Sequence, residues 1–271
     1  MPKVSIITIN FNNEKGLEKT VKSVLSQTVS DFEFIIIDGA SNDNSVNIIK
    51  QYADKINYWV SEKDRGIYDA QNKGIVKAAG DYLLFLNSGD CFYDENVLKD
   101  FYDYLNKNHK KVIYGNSNFL NDNGSSYSVT PPAKLDLNFW YANTINHQAI
   151  FTHIDLFKKY GNFNTEYKLA ADFDFLFKLF IKEPSEFLYF NQMICDYDNT
   201  GLTSKGEHHK IIFKERKKIL QSYLSKQDFR ILRESYFKTI SVKKKYSIII
   251  SENNFLRITL KPFYRLYTFF K

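Results

Sequence analysis

The sequence predicts an α/β protein built on a mostly parallel sheet flanked by helices, followed by a basic, helical C-terminal extension. Three observations lead to this prediction: strand-like runs alternate with amphipathic helical segments, the runs are apolar throughout, and Lys and Arg are concentrated near the C-terminus. Strands that are apolar on both faces are typical of parallel sheets covered by helices on both sides. A chain of 271 residues is long enough to bury a large core.

The first third of the chain alternates strand and helix without interruption. Strands are predicted over residues 4–9, 32–37, 58–60 and 82–86, and helices over residues 14–27, 45–52 and 67–79. Each strand ends in a polar loop, and these loops are Asn10–Asn13, Asp38–Asp43, Ser61–Gly66 and Asn87–Asp90. Because ligands gather at the carboxyl ends of parallel strands, we expect the four loops to converge on one crevice.

The pattern is looser after Asp90. A helix is predicted over 97–105, a strand over 112–114, a polar loop over 116–132, a buried helix over 167–180 and a strand over 187–197, while 139–150 is compatible with more than one structure. Helices are predicted over 207–223 and 227–240, and 246–271 has the pattern of an amphipathic or partly extended tail.

Composition excludes several classes of protein. A hydrophobic content of 44% and a charged content of 25% exclude disordered, collagen-like and coiled-coil chains. Cys91 and Cys195 cannot build a disulfide framework or a four-thiolate zinc site, which favours a reducing compartment. The sequence has no apolar run long enough to span a bilayer and no signal-peptide layout, so it predicts a cytoplasmic protein.

Charge is unevenly distributed along the chain. Residues 205–271 contain 17 Lys and Arg against 5 Asp and Glu, whereas residues 1–204 contain 20 against 26. In the extension the basic residues are interleaved with Phe, Tyr and Leu, which suits a segment lying on an anionic membrane surface, here the inner face of the cell membrane. Helices packed on the body with a solvated basic face are the alternative. The acidic body argues against a nucleic-acid partner.

Two carboxylates stand at strand ends. Asp38 could accept hydrogen bonds from a nucleobase or a ribose, and a turn that caps the next helix is the alternative. Asp90, in Asn87-Ser88-Gly89-Asp90, could bridge Mg²⁺ or Mn²⁺ to a diphosphate, because both ions prefer oxygen ligands. An ordinary turn is again the alternative.

Three further positions could carry chemistry. Arg65 precedes a predicted helix start, where a cation and helix amides suit a phosphate, and a solvated surface charge is the alternative. Asp172 and Asp174 lie two residues apart in a predicted helix, so only one is expected to point into a crevice. Apolar surroundings would raise the pKa of that carboxyl and suit it to general-base work. His147 is either a site residue or a core histidine with satisfied hydrogen bonds.

Taken together, these motifs resemble the inverting family 2 glycosyltransferases, which have the GT-A fold, and in particular bacterial enzymes of surface-polysaccharide assembly. The resemblance covers about residues 3–180 and is found in the segments VSIITINFNN, IIIDGASNDNS, SEKDRGIYDAQNKGI, YLLFLNSGD and LAADFDF. The spacing of Gly66, Asn72 and Gly74 is particularly characteristic.

The resemblance implies roles for individual residues. Phe11 would stack on uracil, Asp38 would read the base, and Arg65 would lie near the base and the diphosphate. The full set expected to bind the nucleotide-sugar is Phe11, Asp38, Arg65, Asn72, Asn87 and Ser88. Asp172 would deprotonate the acceptor hydroxyl, and His147 would contact the acceptor.

Two departures from the family pattern matter. Asn87 and Gly89 stand in the Asp-x-Asp place where carboxylates are more usual, so binding of Mg²⁺ or Mn²⁺ would depend on Asp90 alone. Ala171 stands where many relatives have Glu before the catalytic Asp172.

The implied function is transfer of a sugar, with inversion, from a nucleotide-sugar to a hydroxyl of a glycan or lipid-linked glycan. Residues 1–115 would form the nucleotide-sugar-binding half of the GT-A domain, residues 116–206 the acceptor-binding half, and residues 207–271 the basic, aromatic extension. A nucleotidyltransferase and a membrane-surface module with a vestigial nucleotide pocket are the alternatives. The first of these would need a Gly-rich basic loop after the first strand, where the chain has Asn10-Phe11-Asn12-Asn13-Glu14.

Overall fold

A computed structural model describes residues 3–201 and 206–239 of the chain. Its strands are β1 (Val4–Asn10), β2 (Phe32–Asp38), β3 (Tyr58–Ser61), β4 (Tyr82–Phe85), β5 (Cys91–Phe92), β6 (Val112–Leu120), β7 (Ser126–Val129), β8 (Ile150–His153) and β9 (Phe187–Asp198). Its helices are α1 (Glu14–Leu25), α2 (Ser45–Gln51), α3 (Ile67–Lys77), α4 (Val97–Leu105), α5 (Leu137–Ala142), α6 (Ile154–Tyr160), α7 (Ala171–Lys182), α8 (Gly206–Tyr223) and α9 (Lys226–Thr239).

The strands of the described residues form one mixed sheet in the order β3-β2-β1-β4-β8-β6-β9-β5, with β7 paired to β6. The first four strands pair only in parallel with one another, as the alternating pattern predicts. β6 and β9 are also parallel. β8 runs antiparallel to both β4 and β6. β5 runs antiparallel to β9, and β7 runs antiparallel to β6. The predicted α/β architecture is therefore confirmed, and its second half adds antiparallel pairings.

The strand order places a crevice at the end of β1. The chain moves from β1 to β2 and β3 on one side of β1 and then to β4 on its other side. The boundary between β1 and β4 is therefore a topological switch point, with the loops after both strands beside it. These loops are joined by hydrogen bonds: the Ser88 amide donates to Ile9 (3.0 Å), and Asn13 Nδ2 donates to the Ser88 carbonyl (3.1 Å). Two of the predicted loops thus meet at one edge of the sheet.

Helices cover this sheet because their apolar residues recur on one face. In α1, Leu17, Val21 and Val24 are fully buried and belong to the same core cluster as the β1 and β2 side chains. α3 lies so close to β1 that a Cβ on Gly74 would overlap the side chain of Ile7. This close approach explains why a glycine stands inside a helix.

The polar segment 116–132 differs from the loop predicted for it. β6 continues to Leu120, turns, and returns as β7, so the segment is largely a hairpin. The polar residues are accommodated by pairing, because Asn118 Nδ2 donates to the Asp196 carboxylate on β9 (2.8 Å) and Ser117 is buried. Strand pairing here outweighs the low strand propensity of Asn and Ser.

Residues 139–150 contain the end of α5, a short 3₁₀ turn at His147–Ala149 and the start of β8. α5 begins at Leu137 because the Asp136 carboxylate caps it by accepting from the Phe139 amide (2.7 Å). The buried helix predicted from Tyr167 begins at Ala171, and the pattern did not predict α6.

The described residues fall into two compact units. The first unit comprises residues 3–135, 144–201 and 206–219, and the second comprises residues 136–143 and 220–239. In the second unit, Tyr141 packs on Tyr236 and Phe229 with ring centroids 5.0 and 6.0 Å apart. Among the described residues no helix has the length and apolarity needed to cross a membrane. The predicted tail over 246–271 lies outside the described residues.

Candidate active site

Asp172 is held between a tyrosine and a histidine from distant parts of the chain. It is the second residue of α7, and its Oδ1 accepts a hydrogen bond from the Tyr68 hydroxyl (2.7 Å) on α3. Its Oδ2 lies 3.2 Å from His147 Nδ1 in the 3₁₀ turn. The Asp172 side chain keeps 16% of its surface exposed.

The pKa of Asp172 is shifted opposite to the direction predicted from its apolar neighbours. Burial by itself would raise this pKa, but the hydrogen bond from His147, together with the Tyr68 hydroxyl, outweighs burial and holds the pKa below its ordinary value. Burial raises the pKa of Tyr68 well above its usual range, so Tyr68 stays protonated and donates. Asp172 is therefore an ionised acceptor at neutral pH.

His147 connects Asp172 to the loop after β4. Its Nε2 lies 3.1 Å from Asn87 Nδ2, and Asn87 Oδ1 accepts from Gln71 Nε2 on α3 (3.3 Å). If the Asn87 amide donates, Nε2 accepts and Nδ1 carries the proton that faces Asp172. His147 therefore contacts the Asp172 carboxylate, with 23% of its side chain exposed, and its role toward the acceptor stays a prediction.

Asp90 is buried beside the same 3₁₀ turn. Its Oδ2 accepts from Gln148 Nε2 (2.8 Å), and its Oδ1 accepts from the backbone amide of Asp198 at the end of β9 (2.9 Å). Burial raises the pKa of Asp90 from 3.8 to about 6, an effect that these hydrogen bonds only partly offset. Since His147 and Gln148 are consecutive, one turn of chain contacts both site carboxylates.

The residues around Asp90 include oxygen atoms of the kind that a hard cation prefers. Gln148 Oε1 is buried and has no hydrogen-bond partner among the described residues, although Nε2 of the same amide contacts Asp90. Mg²⁺ and Mn²⁺ prefer oxygen ligands such as the Asp90 carboxylate and the Gln148 amide oxygen. Either ion needs few protein ligands when a phosphate supplies the others. Within the described residues, no three His, Cys, Asp or Glu side chains lie together as a complete metal cluster.

Asp38 is fully buried and holds the loop after β2 together. Its Oδ1 accepts from Asn10 Nδ2 (2.8 Å) and the Ser41 hydroxyl (2.5 Å), and its Oδ2 accepts from the Ser41 amide (2.9 Å) and the Ser61 hydroxyl (2.6 Å). Four donors occupy the usual capacity of a carboxylate. The structure therefore places Asp38 under the loop surface, and its role toward a base stays a prediction.

Phe11 and Arg65 lie at the surface of this region. The Phe11 side chain is 65% exposed, and a Cβ on Gly39 would be 3.3 Å from its ring and 2.5 Å from Asp64 Oδ2. Arg65 is 83% exposed and pairs with Asp69 one helical turn later (2.8 Å). Both side chains are accessible to a ligand, and their predicted contacts with a nucleotide stay predictions.

Asn72 and Ser88 have structural partners. The Asn72 amide donates to the Phe163 carbonyl (2.9 Å) and accepts from the Phe163 amide (3.0 Å), so it fixes the loop before α7. The Ser88 hydroxyl donates to the Asn13 carbonyl (3.2 Å) and joins the loops after β4 and β1. Their predicted part in donor binding is not tested by these contacts.

Sequence reasoning missed the residues that hydrogen-bond to Asp172, Asp90 or Asn87. They are Tyr68, Gln71, Gln148 and Asp198. Tyr68 and Gln71 lie three residues apart on one face of α3, inside the segment that starts at Gly66, and this spacing was the available signal. Gln148 and Asp198 lie 58 and 108 positions from Asp90 in the sequence and meet it only in the folded chain. No local sequence pattern therefore predicts these contacts.

The comparisons with known proteins agree with this arrangement. The family model described as "Glycosyl transferase family 2" matches residues 5–188. The chain is 35% identical over 212 residues to the uncharacterized glycosyltransferase MT1564 of Mycobacterium tuberculosis, covering 76% of this chain and 79% of that protein. It is 28% identical over 207 residues to a PGL/p-HBAD biosynthesis glycosyltransferase of Mycobacterium bovis, covering 74% and 78%.

Two solved structures share the fold. Staphylococcus aureus TarS 1–349 in complex with UDP-GlcNAc aligns with a TM-score of 0.63 and 19% identity, covering 92% of this chain and 79% of that one. The mannosyltransferase PcManGT of Pyrobaculum calidifontis, in complex with GDP-Man and Mn²⁺, aligns with a TM-score of 0.55 and 15% identity, covering 71% and 56%.

The fold and the family match define a GT-A glycosyltransferase. The chain belongs to glycosyl transferase family 2. Membership in this family favours glycosyl transfer over the nucleotidyltransferase and the vestigial membrane-surface module.

Proposed function

We propose that this glycosyltransferase moves a sugar from a UDP-sugar to a hydroxyl of a glycan or lipid-linked glycan, with inversion, in bacterial O-antigen, capsule or exopolysaccharide biosynthesis. The observation that supports this proposal best is the hydrogen-bonded series Tyr68–Asp172–His147–Asn87. It puts an ionised carboxylate beside the loop that follows β4, which is where donors bind in sheets of this kind. The likeness to a PGL/p-HBAD biosynthesis glycosyltransferase and to a structure in complex with UDP-GlcNAc is consistent with it.

The chemistry needed from these residues is a single displacement. Asp172 accepts the proton of the acceptor hydroxyl while the oxygen forms a bond to the anomeric carbon. The bond from that carbon to the donor diphosphate breaks, and its electron pair leaves with the diphosphate. His147 and Tyr68 fix both oxygens of Asp172, so the base is positioned before the acceptor arrives.

A divalent ion, when bound, would neutralise charge on the leaving diphosphate. Asp90 and Gln148 are the residues that would hold it, because the Asp90 carboxylate and the unpartnered Gln148 amide oxygen, in the described part of the chain, belong to adjacent buried side chains. We further propose that residues 1–115 bind the donor, that residues 116–206 bind the acceptor, and that Arg65 turns from Asp69 toward the diphosphate.

Donor binding is tested by thermal denaturation of the full chain with UDP, UDP-GlcNAc, GDP and GDP-mannose, each with and without Mn²⁺. A ligand at 100 times its Kd stabilises a protein by about 2.7 kcal/mol, which corresponds to a rise in melting temperature of roughly 5–10 °C for a chain of this size. We expect UDP and UDP-GlcNAc to give this rise and the guanine nucleotides a smaller one.

Two exposed residues provide the matched pair for this experiment. Phe11→Ala should remove the UDP-induced rise without changing the melting temperature of the free protein, because the Phe11 ring is 65% exposed. Val76→Ala, at a residue 72% exposed on α3, should leave the rise intact. If no nucleoside diphosphate stabilises the unsubstituted protein, a nucleotide-sugar donor is excluded.

We also propose that the basic extension, residues 207–271, holds the cytoplasmic protein on the anionic inner face of the cell membrane. The support is its charge, 17 basic against 5 acidic residues over 205–271, with aromatic residues in between. Replacing Lys243, Lys244 and Lys245 by Ser should weaken binding to anionic vesicles roughly 100-fold, since each basic residue contributes about 1 kcal/mol. Replacing the exposed Lys15, Lys50 and Lys55 is the control, and equal weakening by both triple variants would contradict the proposal.

A further inference from the structure

The loop between β4 and β5 has no room for a side chain at position 89. Gly89 has a φ of +108°, in the left-handed region that glycine alone adopts without strain. A Cβ at this position would also lie 2.9 Å from Oδ2 of Asp198, the last residue of β9, a separation that packed atoms do not adopt. The Asp-x-Asp place therefore lacks a carboxylate at position 89, and the carboxylate of Asp198 lies against that position.

Asp198 is also joined to Asp90. Its backbone amide donates to Asp90 Oδ1 (2.9 Å), and its own Oδ1 accepts from the Thr200 amide (2.9 Å). These two hydrogen bonds fix both the backbone and the side chain of Asp198 at the end of β9. Burial is the main cause that raises the pKa of Asp90 to about 6, and the negative charge of Asp198 adds to this rise. The two carboxylates are therefore close enough to repel each other.

The side chains around this pair do not balance its charge. In the described part of the chain, no Lys or Arg forms an ion pair with Asp90 or Asp198. Lys19 approaches the loop, but its Nζ donates to the Gly89 carbonyl (3.4 Å). Gln148 is 2% exposed and donates its Nε2 to Asp90 Oδ2 (2.8 Å), while its Oε1 accepts no hydrogen bond from the described residues. Buried carboxylates beside an unpartnered buried oxygen indicate a place for a cation, because buried charges are paired or bind metals.

We propose that Asp198 is a ligand of the divalent ion, together with Asp90 and the amide oxygen of Gln148. Asp198 then replaces the carboxylate missing from position 89, so binding of Mg²⁺ or Mn²⁺ does not depend on Asp90 alone. All three ligands are oxygens, and one or two carboxylates are the usual protein contribution when phosphates complete the site. The inference rests on the proposed function, because the donor diphosphate supplies the remaining ligands.

The test measures Mn²⁺ binding to the full chain in the presence of UDP, by titration with the electron paramagnetic resonance signal of free Mn²⁺ as the readout. Asp198→Asn should weaken this binding by roughly tenfold or more, since the affinity of an oxygen site depends on the number of charged ligands. The asparagine oxygen can still accept from the Thr200 amide, so the melting temperature of the free protein should change little. Asp198→Glu, which keeps the carboxylate, should bind Mn²⁺ more tightly than Asp198→Asn does.

Asp196→Asn is the matched control. Asp196 lies on the same strand and is also half-buried, but its Oδ1 accepts from Asn118 Nδ2 (2.8 Å). This variant loses the same charge and should bind Mn²⁺ as the unsubstituted protein does. Equal affinity of Asp198→Asn and the unsubstituted protein, equal weakening by Asp198→Asn and Asp196→Asn, or no Mn²⁺ binding by the unsubstituted protein would overturn the inference.

A second measurement on the same samples separates these results from failure of the proposed function. It is the rise in melting temperature that UDP causes in a chelator, without Mn²⁺. Asp198→Asn should leave this rise unchanged, because the variant removes a ligand of the ion and not a residue expected to contact the nucleotide. Loss of Mn²⁺ binding with the UDP-induced rise intact supports the assignment of Asp198, whereas absence of the rise in the unsubstituted protein counts against the donor itself.

Discussion

Replacement of Asp172 by asparagine is expected to lower the turnover number for sugar transfer by about 10²- to 10⁴-fold, the usual contribution of a general base. The amide keeps the size of the side chain but cannot take the acceptor proton. The UDP-induced rise in melting temperature should persist, because Asp172 contacts Tyr68 and His147 and not the loops predicted to bind the nucleotide.

Asp174→Asn is the matched control for this variant. Asp174 lies in the same first turn of α7 and is buried, so the two substitutions make the same chemical change two residues apart. Steady-state rates with a UDP-sugar and a glycan acceptor compare the two variants. Retention of more than a tenth of the activity in Asp172→Asn would remove Asp172 from the role of base.

Replacement of Asp90 by asparagine is expected to change how stability depends on pH. Because burial raises the pKa of Asp90 from 3.8 to about 6, the folded protein binds more protons than the unfolded chain between these values. The contribution of Asp90 to the free energy of unfolding therefore falls as pH rises from about 4 to 6, and the loss reaches about 3 kcal/mol above that interval. Asn is neutral throughout, so the variant lacks this decline.

The measurement is the free energy of unfolding from pH 4 to pH 8, in a chelator, for the unsubstituted protein and for Asp90→Asn. The stability of the variant relative to the unsubstituted protein should increase by up to about 3 kcal/mol across the interval. The new amide could donate to Gln148 Oε1, which is otherwise unpartnered within the described part of the chain. Asp103→Asn, at a side chain 66% exposed, is the control, and its free energy of unfolding should change with pH as that of the unsubstituted protein does. The same pH dependence for Asp90→Asn and the unsubstituted protein would refute the effect of burial.

The sequence predicted polar positions near the ends of strands. Asp38 is the last residue of β2, and Asn87 and Asp90 lie in the loop between β4 and β5, so the apolar runs before them were enough to place them near strand ends. The same reasoning predicted the first four strands because each is a short apolar run bounded by polar loops, and β1, β2 and β4 are largely buried whereas β3 is half-buried.

The sequence did not predict what depends on pairing between distant segments. Asn116 and Asn118 form part of a strand because β9 and β7 lie beside them, although their residue types favour a loop. The pKa of Asp172 was predicted in the wrong direction because its sequence neighbours are apolar, whereas its actual partners, Tyr68 and His147, are 104 and 25 positions away.

The adjacency of His147 and Gln148 couples the two carboxylates through one turn of the chain. His147 contacts Asp172, and Gln148 contacts Asp90, so in the proposed reaction a displacement of this turn would disturb proton removal and leaving-group stabilisation at the same moment. Under this proposal, rigidity of one peptide unit, and not of the whole domain, becomes the quantity to optimise when the enzyme is redesigned.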